Sequence, residues 1–211
     1  MRSYISAANA TLLILVSLLA VPSARAQTRW PSDAERNQVP LASAAHAPLC
    51  QAKTPTLTNR SIGPVRPGQS LQELEKTCPK LQYAWHWNEG LPTPVTLVRF
   101  GKASLMIEFS GTTTSSMIYR ITTADAQVRT ADGFGPGSPL SAIIRAWGKP
   151  SFALGECVLA VWFASRPGLS FKVELPDNWD CLASGRVEQT GDVSLLPLGT
   201  RVGMALLFAR N

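Results

Sequence analysis

Apolar residues recur at every second position in two stretches that each turn back on themselves. Residues 95–100 and 103–109 flank Gly101-Lys102, and a two-residue connection led by glycine is a hairpin turn. Pairing Phe100 with Ala103 sets Thr96, Val98, Phe100, Ala103, Leu105 and Ile107 on one face, the expected core side. Residues 158–164 and 169–175 flank Ser165-Arg166-Pro167-Gly168 in the same way. There Val158, Ala160, Trp162, Leu169, Phe171, Val173 and Leu175 are expected to point inward together. An apolar run follows each hairpin, at 117–122 and 201–209, and predicts a third strand for each. Helical spacing precedes both hairpins. Leu71, Leu74 and Cys78 share a face behind the capping box of Ser70 and Glu73, and Pro79 ends that helix. Leu140, Ile143, Ile144 and Trp147 form a second stripe, with Ser138 as cap, Pro139 at the first helical position, Gly148 at the closing cap and Pro150 beyond.

These elements recur because a stretch of the chain recurs. Residues 60–74 return 69 positions later as residues 129–143. The two share Arg, then Ser or Thr, a bulky apolar residue four positions on, Pro-Gly, and apolar residues three and six beyond that Gly. A duplicated unit of this size buries its apolar face against its neighbour. The expected fold is α+β: two tandem repeats, each a helix followed by a three-stranded antiparallel meander, carrying disulfides and with the two sheets side by side. The expected boundaries are a signal peptide at 1–26, an arm at 27–48 that is polar and rich in Pro, Ala and Ser, a first repeat at 49–126 and a second at 127–211.

The signal peptide rests on Arg2, the apolar run 10–21 and the small-x-small site Ala24-Arg25-Ala26. Cleavage after Ala26 predicts an exported protein, periplasmic or secreted. The apolar run has 12 residues, short of the ~20 a membrane helix needs, and no cysteine follows the site to take a lipid, so no stable membrane anchor is expected. Cys50, Cys78, Cys157 and Cys181 all lie beyond the leader, an even number that reads as two disulfides in an oxidising compartment. Of the three pairings, Cys50–Cys78 with Cys157–Cys181 is favoured because it puts one bridge in each repeat. A zinc site is disfavoured: no Cys-x2-Cys pair occurs, and the histidines are His46 and His86 alone. Without Arg2 and Arg25 the chain keeps 18 basic against 14 acidic residues, a scattered net charge of +4 with no basic stripe for nucleic acid.

Gly137, Ile143, Gly148 and Pro150 stand at spacings 0, 6, 11 and 13. This pattern resembles the helix motif Gly-x5-[VIL]-x4-Gly-x-Pro of the β-lactamase-inhibitor-protein-like (BLIP-like) and SmpA/OmlA (BamE-like) superfamily. Residues 131–175 are similar to that group's repeats in placing a helix before antiparallel strands. In the first repeat Gly68 and Leu74 match, whereas Pro79 and Leu81 replace the second Gly and the Pro. The resemblance implies a module that binds proteins, either an inhibitor laying a concave sheet on an enzyme or a scaffold in envelope assembly. The lipid-attachment cysteine of anchored members is missing here.

Catalytic signatures are lacking. Gly-x-Ser-x-Gly, a Walker loop, His-Glu-x-x-His and an EF-hand run are all absent, so no catalytic residue, cofactor or metal is expected and the chain is read as a non-enzyme. Asp177 and Asp180 flank Asn178 and Trp179 in what reads as a turn. The far faces of the hairpins carry mixed apolar and charged residues. Leu97, Arg99, Met106 and Glu108 in one hairpin and Val161, Phe163, Lys172 and Glu174 in the other predict either a partner-binding surface, with an apolar centre and a charged rim, or a face covered within the molecule by a segment such as the 27–48 arm or the aromatic stretch. The alternative is a glycan or small amphipathic ligand stacked on Tyr83, Trp85 and Trp87, against the simpler reading of these as one packed face of an extended segment.

Overall fold

The capping box at Ser70 forms as its spacing requires. In the computed structural model, which describes residues 47–51, 53–88 and 91–209 with the side chains of 87 and 88 set aside, the Glu73 amide donates to the Ser70 hydroxyl at 3.2 Å. The Ser70 amide in turn donates to the Glu73 carboxylate at 2.8 Å. This starts helix α1 (Leu71–Thr77), whose Leu71 and Leu74 are buried. Helix α2 (Leu140–Trp147) begins differently from expectation, with Pro139 as its N-cap and no side-chain capping bond. The Ser138 hydroxyl is taken by the preceding loop instead, accepting from Arg129 Nη1 at 2.6 Å and from the Gly135 amide at 3.0 Å. A third helix, α3 (Cys181–Thr190), starts where the sequence reads as a turn, and Asp180 caps it through the Leu182 amide.

The strands are β1 (Leu49–Gln51), β2 (Gln82–Asn88), β3 (Leu91–Phe100), β4 (Ala103–Phe109), β5 (Ile118–Thr123), β6 (Pro150–Gly155), β7 (Val158–Phe163), β8 (Leu169–Glu174) and β9 (Arg201–Phe208). All nine join one sheet in the order β1-β3-β4-β5-β9-β8-β7-β6, with β2 also on β3. β1 runs parallel to β3 and the other pairings are antiparallel. The seam is β5 against β9. Outward from it lie β4, β3 and β2 on one side and β8, β7 and β6 on the other. The duplicated stretches dock in matching ways. The Gly68 amide donates to Ile118 O and the Gly137 amide to Val202 O, while Leu71 N reaches Ser116 O and Leu140 N reaches Thr200 O.

Cross-strand pairs place Thr96, Ile107, Ile121, Leu207 and Leu169 on one inner face. Helices α1 and α2 cover that face. The Tyr83 hydroxyl, beside Thr96, donates to Glu75 of α1 at 2.6 Å, and the Trp147 ring of α2 packs on Phe163 and Phe171. The core is one continuous cluster running from Leu57 and Leu74 to Phe163 and Val187.

This architecture overturns the expectation of two helix-plus-three-strand repeats. Among the described residues the sheet is a single mixed one, accompanied by three short α-helices. Between each helix and its hairpin lies a fourth strand, β2 or β6, each an outer strand of the sheet, where the sequence shows an aromatic segment in one case and Gly-Lys-Pro punctuation in the other. The second hairpin is also shifted by one residue. Val161 pairs with Phe171 and Trp162 with Ser170, leaving five residues in the connection rather than four. A slip of one exchanges the faces of β7, so Leu159, Val161 and Phe163 point inward and Trp162 points out. The first hairpin keeps its expected register, with Phe100 opposite Ala103 and Gly101 at φ 61° in the turn. Both disulfides form in the favoured pairing, Cys50–Cys78 and Cys157–Cys181. The signal peptide and nearly all of the 27–48 arm lie outside the described residues.

Candidate functional site

The outer face of the sheet, opposite the helices, carries the site. Register places Leu97, Met106, Thr122, Leu206, Ser170, Trp162 and Ser151 in one row across seven strands, from β3 to β6. A second row holds Val95, Glu108, Arg120 and Phe208, and a third holds Met204, Lys172, Ala160 and Ala153. Leu97, Met106, Met204, Leu206 and Phe208 are partly buried, and Trp162 is 39% exposed. The chain folds this way locally because β9 is apolar on both faces: Val202, Ala205 and Leu207 enter the core while Met204, Leu206 and Phe208 face out.

An ion pair lies within this apolar surface. Arg120 Nε donates to Glu108 Oε1 at 2.6 Å, with the Glu108 side chain fully buried and that of Arg120 at 14% exposure. The guanidinium carbon of Arg120 also lies 5.8 Å from the Tyr119 ring and 5.8 Å from the Phe208 ring. Among the described residues, the buried side-chain polar atoms without a hydrogen-bond partner are Arg99 Nε, Glu108 Oε2 and Thr122 Oγ1. All three belong to residues of the outer face. Buried polar atoms are ordinarily paired, and one of these three sits on the Glu108 carboxylate whose other oxygen accepts from Arg120.

Each expected site residue can now be placed. Leu97, Arg99, Met106, Lys172 and Glu174 lie on the outer face, with Lys172 and Glu174 exposed. Val161 at 0% and Phe163 at 1% exposure belong to the core, and the one-residue slip puts Trp162 and Ala160 in their stead. Glu108 was expected on a charged rim and is instead buried beneath its pairing with Arg120. Sequence reasoning missed Trp162, Met204, Leu206, Phe208 and Arg120. The signal available for three of these was the unbroken apolar run of β9, which marks a strand apolar on both sides.

The aromatic segment forms strand β2, with Tyr83 and Trp85 on the inner side opposite Thr96 and Pro94. Tyr83 packs against the core. Burial and the Glu75 carboxylate, which accepts from its hydroxyl, raise its phenol above the ordinary value. A separate groove of about 450 Å³ lies between α2 and residues 193–200, lined by Leu140, Ile144, Leu196 and Leu198 among others. Among the described residues no group of three or more His, Cys, Asp or Glu side chains is placed to hold a metal ion.

No protein-family profile matches the chain, and no curated protein matches it. The crystal structure of the uncharacterised protein YfeY from Escherichia coli is similar in fold, at a TM-score of 0.50 and 15% sequence identity. The match covers 73% of this chain and 99% of that one.

Proposed function

We propose that the chain is an exported, non-enzymatic protein-binding module that docks a protein partner on its outer sheet face. The observation that carries this reading is the row in which Leu97, Met106, Leu206 and Trp162, interspersed with Thr122 and Ser170, cross both halves of the sheet on its outer face. Such a band with charges at its margin has the composition of a docking surface, in which an apolar centre loses water and a polar rim sets the register. Arg99, Lys172 and Glu174 supply the rim. Arg99, Glu108 and Thr122, each with a buried polar atom lacking a hydrogen-bond partner, add hydrogen-bonding capacity to this face. Two disulfides are compatible with an oxidising compartment, and removal of the 1–26 leader after Ala26 would place residues 27–211 in the periplasm or outside the cell. The resemblance of the 137–150 motif to the BLIP-like and BamE-like superfamily points to the same class of activity, as an analogy of fold.

The test is affinity capture from envelope and culture-supernatant extracts of the native host, with tagged residues 27–211 as bait and a Met106→Glu/Trp162→Glu bait beside it. One stoichiometric protein on the first bait and its loss from the second is the expected result. Equal recovery on both baits, or none on either, would overturn the reading.

A further inference from the structure

Strand β6 ends the sheet: among the described residues β7 is its one strand neighbour, and α3 packs against it. The direction of its free backbone groups follows from one hydrogen bond. The Leu154 amide donates to Glu188 Oε1 of α3 at 2.8 Å, so that N–H points away from β7. Backbone groups alternate in an antiparallel strand, so the N–H and C=O of Phe152 and the C=O of Pro150 point outward too, and Pro150 has no N–H to offer at that edge. The strand reads Pro-Ser-Phe-Ala-Leu-Gly, with no charged residue, and Ser151 and Ala153 are exposed. Natural sheets ordinarily blunt such edges with charge. Here the blunting rests on Pro150, on α3 packed against the strand and on its Glu188, which occupies the Leu154 amide.

We propose that β6 is a self-association edge: two copies of the chain pair their β6 strands antiparallel about Phe152, and Glu188 is the gate that restrains this pairing. The pattern is self-complementary under a two-fold axis. Phe152 N–H and C=O bond to the same groups of the second copy, and each Leu154 N–H released by Glu188 meets Pro150 C=O across the axis. The missing Pro150 N–H costs one bond on each side. In this register Lys149, exposed just before the strand, reaches the Gly155-Glu156 end of the other copy, where Glu156 is also exposed. Two Lys–Glu pairs then bracket the new strand pair. The outer residues Ser151 and Ala153 are small, so the exposed Trp162 beside Ser151 lies close to the axis in both copies. This inference stands on the β6 edge and holds or fails independently of what docks on the outer face.

Sedimentation equilibrium on residues 27–211 with both disulfides intact tests it, with circular dichroism confirming the fold of each variant. Wild type is expected to show a weak, concentration-dependent dimer. Glu188→Ala should tighten it about a hundredfold, because neither copy then gives up a charge-assisted bond on pairing. Ser151→Lys/Ala153→Lys sets like charges opposite one another and should leave a monomer. Lys149→Glu should weaken the dimer and Lys149→Glu/Glu156→Lys restore it. Wild type and Glu188→Ala both monomeric at about 0.5 mM would overturn the proposal. So would a dimer indifferent to the paired lysines, and so would a Lys149→Glu defect that the reciprocal change does not rescue.

Discussion

Gly135 shows how one side chain decides a loop. A Cβ at this position would lie 2.1 Å from the Val128 carbonyl oxygen, a contact that backbone movement alone relieves. Gly135→Ala should therefore cost about 2 kcal/mol or more and lower Tm by about 5 °C or more, measured by thermal unfolding. Gly155→Ala meets nothing within 4 Å and should be near neutral in the same assay. Asp132 offers a test in acid. Its carboxylate accepts from the Trp147 indole at 2.6 Å and from Arg166 at 3.0 Å. Burial works to raise its pKa, and hydrogen bonds from Thr130, Trp147 and Arg166 outweigh that and hold it at about 2. A carboxyl depressed in the folded state contributes stability above its unfolded pKa of ~3.9. That contribution is lost as pH falls through about 2. Asp132→Asn should lower Tm by a few degrees at neutral pH and flatten the dependence between pH ~4 and ~2, the modest size reflecting a carboxylate that is more than a third exposed. Neither role was visible beforehand: Gly135 reads as one of several turn glycines, and two of the partners of Asp132, Trp147 and Arg166, lie 15 and 34 positions away.

Among the elements, the two disulfides fasten different parts. Cys50–Cys78 ties β1 to the end of α1, and Cys157–Cys181 ties the β6–β7 turn to the start of α3. Loops with separations of 28 and 24 residues correspond to roughly 3–4 kcal/mol each on the chain-entropy account. Helix α3 is weakly amphipathic and holds to the sheet mainly through β6. Replacing Cys157 and Cys181 with Ser should therefore raise amide exchange across Cys181–Thr190 well before it affects β3 and β4; uniform acceleration through the sheet would contradict this. The same weak patterning explains why α3 went unread, whereas α1 announced itself through its capping box. The two hairpins differ for a related reason. Gly101-Lys102 permits one tight turn and so one register, while the segment around Pro167-Gly168 accommodates four or five residues. There the choice was made by burial of Val161 and Phe163 against Phe171 and Trp147.

At the largest scale the β5–β9 seam joins the two halves by backbone hydrogen bonds, and a single core runs beneath both. Residues 47–209 should accordingly unfold as one cooperative unit, with tryptophan fluorescence and far-ultraviolet circular dichroism giving coincident denaturant transitions. Two separated transitions would show that each half is stable alone. Splitting the chain near residue 126 would expose the β5 and β9 edges, so neither fragment is expected to remain monomeric. The outer-face row likewise exists only when both halves share a sheet, since Leu97 and Met106 come from one and Leu206 and Trp162 from the other.

Local chemistry was sufficient for the duplicated stretch, the α1 helix and the first hairpin with its core face, because each depends on residues close in sequence whose geometry permits one solution; for the disulfides it favoured one of three pairings, and the structure decided among them. The ninefold sheet, the slipped second hairpin, the burial of Glu108 beneath Arg120 and the row that crosses the seam were settled by tertiary packing. Each depends on which strand becomes whose neighbour, and alternating side chains state that a strand has two faces without stating what will lie against either.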